Sequence, residues 1–397
     1  MSALNKNLQK LFSIAQKTEK TGIGLMSGTS LDGLDVALCR FRGNGLETTF
    51  SLLKFITIPY TEDFKKEVQS VFARRDADLE KVCLLNAYIG NFHGELVLQA
   101  LATWGIKPED VDFIASHGQT IYHAPKRLHR QPGYPNATLQ IGDGDHLALK
   151  TGILTVSDFR QKHIAAGGEG APLALYGDVL LGSKAGENRI LLNIGGIANL
   201  TFLPADGNYA DILCTDLGPG NTLIDAACRK YFNKAYDEDS RIAFSGNVNG
   251  ALLKALFDHP FFKEHAPKTT GPELFSTAYV EEAQRKSNTL TINSDDLICT
   301  LSAFTAKSIA DFISDNFKVE DIKLFVSGGG AKNKYVMDHL KKALPGAAVQ
   351  DTGSLGIDPD AKEAILFALL GNEALCGEPI KIGNNPAVLM GKFSFAG

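Results

Sequence analysis

Short segments of alternating apolar and polar residues frame a glycine-rich turn near the start of the chain. Within Gly22–Phe41, two such segments flank the polar stretch Ser27–Gly33. Alternation with a period of two on both sides of a polar glycine turn predicts a β-hairpin. The same pattern recurs in Arg189–Phe202, where the tip is Gly195-Gly196. Two such hairpins far apart in the chain predict two related halves whose glycine tips face a shared cleft.

A third glycine element follows an apolar run late in the chain. The segment Lys323–Asn333 predicts a buried strand, then Gly328, Gly329 and Gly330, then a helix from about Asn333. Such a junction directs backbone N–H groups and the positive end of a helix toward phosphate or adenosine. The sequence contains neither a P-loop nor the motif set of protein kinases, which excludes both classes. The three elements in this order indicate an α/β fold with the two-domain architecture of actin, sugar kinases and Hsp70 ATPases, including an interdomain cleft.

Other periodicities place further elements around these three. Asp78 is predicted to cap a long helix that runs to Trp104 and is ended by Gly105. A short buried strand at Asp112–Ser116 is expected to deliver residues 117–120 to a loop at the ligand-binding edge of a sheet. The glycine-rich stretch 166–172 predicts a domain crossing or hinge. We therefore expect one domain in residues 1–160 plus about 380–397, carrying the phosphate hairpin, and a second domain in residues 161–379.

Composition and charge narrow the class of protein. The chain has 397 residues, of which 44% are hydrophobic and 21% charged, with a net charge of −5. This balance argues against nucleic acid or an anionic membrane as the main partner. The N-terminal segment has helical periodicity and lacks the continuous apolar core of a signal peptide. Six scattered cysteines without a CxxC pair predict buried thiols in a reducing compartment, and thus a cytoplasmic protein: Cys39, Cys83, Cys214, Cys228, Cys299 and Cys376.

Several side chains have the chemistry that phosphoryl transfer requires. Asp216 is predicted at a strand end before a glycine turn and a helix, where it serves either as a general base or only as the helix cap. Asp32 and Asp35 in the first hairpin can hold Mg²⁺ directly or through water. Arg160, in an Asp-x-Arg stretch, offers a planar fork for a carboxylate or phosphate, or else an ion pair with Asp158.

Two further candidates have weaker signals. His117 lies in a segment whose spacing matches no zinc motif, so a loop histidine that hydrogen-bonds a ligand or the backbone is favoured. Glu363 begins the last predicted helix, a position at which a carboxylate most often only stabilises the helix.

These motifs together resemble the anhydro-N-acetylmuramic acid kinase family of the actin/sugar-kinase superfamily. The resemblance covers about residues 22–395 and includes the two highly specific patterns MSGTSxDGxD and DxGPGN. The matching segments are GLMSGTSLDGLD (24–35), SHGQT (116–120), LQIGD (139–143), DFR (158–160), AGGEGAPL (166–173), LNIGGIAN (192–199), DLGPGN (216–221) and SGGGAKN (327–333).

The resemblance implies an ATP- and Mg²⁺-dependent kinase that opens the 1,6-anhydro bridge of the sugar with water and phosphorylates O6. The products would be ADP and N-acetylmuramic acid 6-phosphate in cell-wall recycling, and the enzyme would be a homodimer. Asp216 and Glu363 would be the catalytic residues, with Asp216 activating the water and Glu363 lying at the sugar. Arg160 would also lie at the sugar, and Asp32 would bind Mg²⁺, directly or through water. The residues assigned to ATP are Gly28, Thr29, Ser30, Leu31, Asp32, Gly33, Leu34, Asp35, Gly195, Gly196, Gly328, Gly329, Gly330 and Asn333. Those assigned to the sugar are His117, Gln119, Arg160, Gly218 and Asn221.

Departures from the family pattern cluster near the expected sugar side. The family commonly has Gln where Glu169 stands, residues 174–178 differ from the usual continuation, and the loop 126–136 is long. A levoglucosan kinase, whose sugar lacks the N-acetyl and lactyl groups, therefore remains an alternative. A nucleotide-dependent binding module of the actin or Hsp70 type is an alternative from a different class.

Overall fold

A computed structural model describes residues 5–171, 173–271, 273–356, 358, 360–383 and 385–397. They form two compact units. Unit 1 is built from the described residues within Met1–Leu181 and Ile357–Gly397, and unit 2 from those within Gly182–Gly356.

The strands and helices of the described residues are numbered in chain order. The strands are β1 (Glu19–Ser27), β2 (Gly33–Arg42), β3 (Thr49–Pro59), β4 (Phe113–Ala124), β5 (Ala137–Ile141), β6 (Thr155–Ser157), β7 (Asn188–Ile194), β8 (Ile197–Leu203), β9 (Leu213–Pro219), β10 (Ile322–Ser327), β11 (Ala348–Asp351) and β12 (Lys392–Ser394). The α-helices are α1 (Lys6–Ala15), α2 (Glu62–Gln69), α3 (Leu79–Trp104), α4 (Lys126–His129), α5 (Gly144–Thr151), α6 (Phe159–Ala165), α7 (Ala174–Gly182), α8 (Thr222–Phe232), α9 (Arg241–Ser245), α10 (Gly250–Leu256), α11 (Thr277–Ser287), α12 (Ser294–Asn316), α13 (Lys334–Ala343) and α14 (Lys362–Cys376).

The two sheets share a common arrangement of five strands. In unit 1 the strand order is β12-β6-β4-β1-β2-β3, with β5 paired to β4, and in unit 2 it is β11-β10-β7-β8-β9. Each sheet starts with three consecutive antiparallel strands, β1-β2-β3 or β7-β8-β9. Two later strands then add in parallel beside the first, namely β4 and β6 or β10 and β11. The mixed α/β fold and the prediction of two related halves are confirmed.

The units divide the chain at other positions than the sequence predicted. Residues 161–181 and 357–379, which we assigned to the second domain, belong to unit 1. The physical reason lies in α14, which packs on β1 and β4. An added Cβ at Gly24 would lie 1.8 Å from the carbonyl oxygen of Ala364, and one at Gly371 would lie 2.8 Å from the Cβ of Ala115. The glycine-rich stretch 166–171 is therefore internal to unit 1 and is not the crossing, while Pro172 lies outside the described residues.

Two strands are longer than their apolar patterns predicted. β4 does not end at Ser116 but continues to Ala124, because its second half pairs with β5 around Gly118, whose φ is 72°. β9 likewise continues through Asp216 to Pro219, since it remains paired with β8. Residues 117–120 are thus in a strand and not in a loop, and Asp216 lies within β9 and not at its end. The long helix α3 begins after Asp78 and ends at Gly105 as predicted.

The core of unit 2 is organised around α12. By length and composition this helix is able to cross a membrane, but 78% of its most apolar 18-residue window is buried inside the protein. Its buried positions include Phe304 and Ile309, which belong to two hydrophobic clusters of unit 2. These contacts identify α12 as a core helix of this unit.

Candidate active site

The first hairpin carries an ordered turn at its tip. The N–H of Leu31 donates to the carbonyl of Gly28 at 3.3 Å, which closes a β-turn with Thr29 and Ser30 at its centre. Thr29, Ser30 and Asp32 are exposed. The exposed hydroxyls and the backbone of this turn are the groups that a phosphate can reach.

Three residues assigned to ATP in this hairpin face the interior instead. The side chains of Leu31 and Leu34 are 2% and 0% exposed and belong to the hydrophobic core of unit 1. Gly33 is buried against β3, where an added Cβ would lie 2.5 Å from the carbonyl oxygen of Ile58. Only the backbone of these residues remains for a nucleotide, because folding of the hairpin uses their side-chain positions for packing.

Several carboxylate side chains lie near the tip of the first hairpin. The Oγ1 of Thr57 donates to Oδ1 of Asp35 at 2.6 Å. Burial raises the pKa of Asp35; the Thr57 hydrogen bond opposes this shift, and the negative charges of Asp360 and Asp32 add to it. Among the residues that the structure describes, no three His, Cys, Asp or Glu side chains are arranged to hold a metal ion in advance. This donor set fits Mg²⁺, which keeps several waters and needs only one or two carboxylates beside substrate phosphates.

Gln119 and His117, both assigned to the sugar, are buried in β4, and His117 also lines a cavity of unit 1. Gln119 is 0% exposed: its Oε1 accepts from Ser27 Oγ at 2.5 Å, and its Nε2 donates to the carbonyl of Gly28 at 3.3 Å. His117 is 5% exposed, and its Nε2 accepts from the Nε of Arg160 at 3.0 Å. Burial and the charge of Arg160 lower the pKa of His117 to about 3. The histidine is therefore neutral and orients the arginine.

Arg160 is held by backbone and histidine groups and not by Asp158. Its Nη1 donates to the carbonyl of Gly170 at 2.8 Å, whereas Asp158 pairs with Lys392 at 2.9 Å. Burial lowers the pKa of Arg160, and the charge of Glu363 opposes that shift. Unit 1 thus brings His117, Arg160 and exposed Glu363 into one neighbourhood.

The glycine-rich stretch folds around a buried histidine. The N–H of Gly170 donates to Nδ1 of His163 at 2.9 Å, and an added Cβ at Gly168 would lie 2.3 Å from that ring. Gly168 is required by this close approach. Two departures from the family pattern meet here, because Glu169 pairs at 3.1 Å with Arg127 of the long loop 126–136.

The tip of the second hairpin is fixed by the segment that follows β9. The N–H groups of Gly220 and Asn221 donate at 2.8 Å to the carbonyls of Gly196 and Gly195. The side-chain amide of Asn221 also donates to the carbonyls of Ile194 and Gly195 at 3.2 and 3.1 Å. Asn221 therefore supports the glycine tip, a role different from the predicted sugar contact.

A cavity of about 570 Å³ lies in unit 2 beside the glycine triplet. Gly329, Asn333 and Asn221 line it, together with Tyr236 and Lys332. The Oδ1 of Asn333 accepts from the N–H of Val336 at 3.1 Å, which caps α13 as predicted. Gly330, in contrast, is buried, and an added Cβ there would lie 2.2 Å from Ile194 Cγ2. Two of the lining residues, Gly329 and Asn333, are ones that the sequence assigned to the nucleotide, and Asn221 is one that it assigned to the sugar.

Asp216 lies in β9 opposite Asn199 and is partly buried. Its Oδ2 accepts from the N–H of Thr270 at 2.8 Å, and its own N–H donates to the carbonyl of Lys268 at 3.0 Å. Burial raises its pKa; the Thr270 hydrogen bond opposes this shift, and the charge of Glu273 adds to it. Asp216 does not cap α8, which begins after Asn221. A carboxylate with a raised pKa in a fixed position has the properties of a general base.

Gly218, assigned to the sugar, is buried in the same strand. Its φ is 142°, and an added Cβ would lie 3.3 Å from both Phe262 Cε1 and Ser308 Oγ. A glycine is required at this position because Phe262 and Ser308 pack against the strand and leave little room for a side chain. Its contribution to the site is therefore to the packing of β9.

Sequence reasoning missed several groups that surround these residues. Tyr60 and His93 are buried next to the first hairpin, Thr57 binds Asp35, and Tyr236 and Lys332 line the cavity of unit 2. All of them except Lys332 lie outside the matched motifs. The only available signal was a polar residue inside a predicted apolar element, as at His93 in α3.

Comparisons with known proteins find matches to one family over nearly the whole length of this chain. The model of the family described as Anhydro-N-acetylmuramic acid kinase matches residues 20–391. A protein named anhydro-N-acetylmuramic acid kinase from Pseudoalteromonas atlantica is 51% identical, over 99% of this chain and 100% of its own. Proteins of the same name from Pseudoalteromonas translucida and Caldanaerobacter subterraneus are 50% and 39% identical, over 99% and 98% of this chain.

A solved structure also matches most of the chain. It is component A of the (R)-2-hydroxyglutaryl-CoA dehydratase of Acidaminococcus fermentans, at 12% identity, with 90% of this chain and 99% of that chain covered and a TM-score of 0.39. A TM-score this low supports no argument about function. The assignment of the chain to a family therefore rests on the family model and on the related sequences alone.

Two repeated α/β sheets with glycine-tipped hairpins, in a chain related to kinases over its full length, define an ATP-dependent sugar kinase. This excludes a nucleotide-dependent binding module without enzymatic activity. The chain belongs to the anhydro-N-acetylmuramic acid kinase family.

Proposed function

We propose that this protein uses ATP to phosphorylate 1,6-anhydro-N-acetylmuramic acid at O6 while water opens the anhydro bridge. A bond forms between water oxygen and C1 as the bond from C1 to O6 breaks. O6 takes the γ-phosphoryl group, and the bond from that phosphorus to the bridging oxygen of ADP breaks. One water proton passes to a carboxylate and the other stays on the new hydroxyl. The products are N-acetylmuramic acid 6-phosphate and ADP, as cell-wall recycling requires.

The observation that carries this proposal is the relationship to a kinase of that name at 51% identity over 99% of the chain. The geometry of Asp216 supports it further. Because the Thr270 N–H fixes one oxygen and burial raises the pKa, Asp216 is suited to take the proton of the attacking water.

In unit 1, the roles follow from charge and exposure. Arg160, oriented by His117 and Gly170, is the cation for the lactyl carboxylate of the sugar, and Glu363 lies in its neighbourhood. The exposed part of the first hairpin, Thr29 to Asp32, binds ATP phosphates. In unit 2, the cavity beside Gly329 and Asn333 takes the adenosine.

Magnesium belongs to this proposal through Asp32 and Asp35. When bound, Mg²⁺ neutralises charge on the phosphates. Asp32, which is exposed, is its ligand directly or through water, and Asp35 supports it while held by Thr57. Chelation by EDTA is expected to abolish ADP release, and added Mg²⁺ to restore it.

The substrate is tested by ADP release with anhydro-N-acetylmuramic acid and with levoglucosan in parallel. We expect turnover of the muramic sugar and little with levoglucosan. Turnover of levoglucosan alone would establish the alternative kinase. The departures at Glu169 and the loop 126–136 make this comparison necessary, because they alter the surroundings of the loop that holds Arg160.

The variant Arg160→Ala separates the two sugars further. A guanidinium makes charge-assisted hydrogen bonds to a carboxylate, each contributing about 1.5–3 kcal/mol, and levoglucosan has no such anion. We expect the KM for the muramic sugar to rise about tenfold or more. Any levoglucosan activity should stay nearly unchanged. Since Arg160 also binds His117 and Gly170, an equal loss on both sugars with a lower Tm would instead assign it a structural role.

Two properties of the whole protein complete the proposal. The resemblance to the family implies a homodimer, which sedimentation analysis of the purified chain tests. The cysteine usage favours a reducing compartment such as the cytoplasm, which cell fractionation tests.

A further inference from the structure

A chain of buried polar side chains runs from α3 to the tip of the first hairpin. His93 Nε2 lies 3.0 Å from Tyr60 Oη, which lies 2.8 Å from Ser27 Oγ. Ser27 Oγ donates to Gln119 Oε1 at 2.5 Å, and Gln119 Nε2 donates to the carbonyl of Gly28. The four side chains are at most 5% exposed. Burying so many polar groups is costly unless every one is hydrogen-bonded.

Counting donors and acceptors shows that the hydrogen bonds in this series of side chains all run in one direction. Ser27 has one hydroxyl hydrogen and uses it toward the carbonyl oxygen of Gln119, so Tyr60 donates to Ser27. The one hydroxyl hydrogen of Tyr60 is then used, and His93 must donate its Nε2 hydrogen to Tyr60. Burial lowers the pKa of His93 to about 4, so the ring is neutral and this tautomer is the one that completes the chain.

The end of the chain lies on the peptide group that orients the phosphate turn. Gly28 O accepts from both Gln119 Nε2 and the N–H of Leu31, each at 3.3 Å. A trans peptide group points its carbonyl oxygen and the next N–H in opposite directions. Holding Gly28 O inward therefore turns the N–H of Thr29 away from Gln119. The backbone N–H of Tyr60 also donates to Asp32 O at 3.2 Å, which fixes the other side of the turn.

We propose that Tyr60 and His93 are positioning residues for the nucleotide phosphates, acting through Ser27 and Gln119 on the Gly28 peptide group. This inference rests on the proposed function, because it takes the first hairpin as the phosphate-binding element. Neither residue is exposed enough to contact a ligand directly. Their effect is to present the turn in one orientation before ATP binds, and preorganised donors bind anions without a cost of reorganisation.

The first test is Tyr60→Phe, which removes only the hydroxyl group. We expect the KM for ATP and the calorimetric Kd of Mg·ATP to rise about tenfold, with the KM for the sugar within about twofold. The matched control is Tyr88→Phe, since Tyr88 packs on Phe64 and Phe92 of the same aromatic cluster but is 49% exposed. This control is expected to behave as wild type.

The second test separates positioning from packing at His93. His93→Gln keeps an N–H donor near the place of Nε2, whereas His93→Leu removes it. We expect His93→Leu to weaken Mg·ATP binding as Tyr60→Phe does, and His93→Gln to restore it to within about threefold of wild type. The double variant Tyr60→Phe/Ser27→Ala should bind Mg·ATP no more weakly than the weaker single variant, because both break one chain.

Three results would overturn the inference. The first is that Tyr60→Phe leaves Mg·ATP binding unchanged. The second is that every variant, His93→Gln included, loses ATP and sugar affinity together with Tm. The third is that wild type does not bind Mg·ATP. The last result would also refute the proposed function. A wild-type protein that binds Mg·ATP but does not phosphorylate the sugar would refute the substrate alone, and the calorimetric comparison of variants would still decide the role of Tyr60 and His93.

Discussion

In this protein, the hydrogen-bond partners of a side chain indicate its role better than the residue type does. Asp216 and Asp35 are both half-buried carboxylates with raised pKa values, but Asp216 accepts from a backbone N–H and Asp35 from a hydroxyl. Only Asp216 lies in unit 2, opposite Asn199 of the glycine-tipped hairpin β7-β8. The environment therefore distinguishes a candidate base from a candidate magnesium ligand.

Replacing Asp216 with Asn should abolish turnover and leave the fold intact. The amide cannot accept a proton from water, and loss of a general base costs about 10²–10⁴-fold in rate. Because the folded-state pKa is raised, the charged form costs stability as pH rises through that pKa, so Asp216→Asn should melt no lower than wild type at pH 7. An assay of ADP release checks the loss of turnover, and thermal melting checks the stability.

The pH profile offers an independent check of the same residue. Turnover of wild type should fall as pH falls through the raised pKa of Asp216, since the base must be ionised. The control Asp315→Asn, at the exposed end of α12, should keep the wild-type profile. Turnover by Asp216→Asn within a few-fold of wild type would show that another group is the base.

Asp32→Ala should weaken use of Mg·ATP more than sugar affinity. Asp32 is exposed at the tip of the first hairpin, beside the turn assigned to phosphate. Separate calorimetric titrations of Mg·ATP and of sugar measure the two effects, with Asp63→Ala, at an exposed position of α2, as the control. Loss of sugar binding with intact Mg·ATP binding would mean that the hairpin does not serve the phosphates.

At the level of elements, the packing of α14 on the sheet organises unit 1. Gly24 in β1 and Gly371 in α14 lack side chains at the places where strand and helix backbones approach closely. The same helix carries Glu363 at its exposed start and Phe367, whose ring lies 4.8 Å from that of His117. The position of α14 thus fixes the neighbourhood of the proposed sugar residues.

Gly24→Ala is expected to destabilise unit 1 strongly. The new Cβ would lie 1.8 Å from the carbonyl oxygen of Ala364, and neither backbone can yield, so the loss should reach the upper end of the about 1–3 kcal/mol typical of overpacking. Trp104, the single tryptophan, packs against the unit 1 core and reports its unfolding in urea by fluorescence.

The matched control for this substitution is Gly250→Ala. An added Cβ there meets no atom within 4 Å, and the residue is the first of α10 in unit 2. The Trp104 transition should therefore be unchanged. If Gly24→Ala unfolded at the wild-type urea concentration, α14 would not pack on β1 as described.

For the whole molecule, burial of the cysteines gives a test that spans both units. Cys83 and Cys214 are exposed, whereas Cys39, Cys228 and Cys299 are buried and Cys376 is partly buried. Burial raises the pKa of Cys39 and of Cys228 to about 12, which suppresses the reactive thiolate. The prediction that these thiols are buried is thus wrong for Cys83 and Cys214.

Ellman's reagent should titrate Cys83 and Cys214 rapidly in the native protein. The remaining thiols should react only slowly, and all six after denaturation. Cys83→Ser should remove about half of the fast phase. If more than these two thiols reacted in the fast phase, one of the hydrophobic cores would be open in solution.

The sequence determined those features that depend on neighbours along the chain. Both glycine-tipped hairpins, the caps of α3 and the glycine junction before α13 appear as predicted, because alternation, capping and turn formation are local. The family motifs also identified the family. The domain boundaries did not follow from local pattern, since α14 returns to unit 1 from the far end of the chain.

Only the tertiary structure decided which polar groups remain available to a ligand. Gln119 matched a motif and was assigned to the sugar, yet its two amide atoms are used by Ser27 and Gly28. For Arg160 the sequence left open an ion pair with Asp158, but in the structure Arg160 binds His117 and Gly170. Hydrogen bonding and burial depend on residues far apart in the chain, and a single sequence records the side chains without their partners. Tyr60 and His93 remained unnoticed for the same reason.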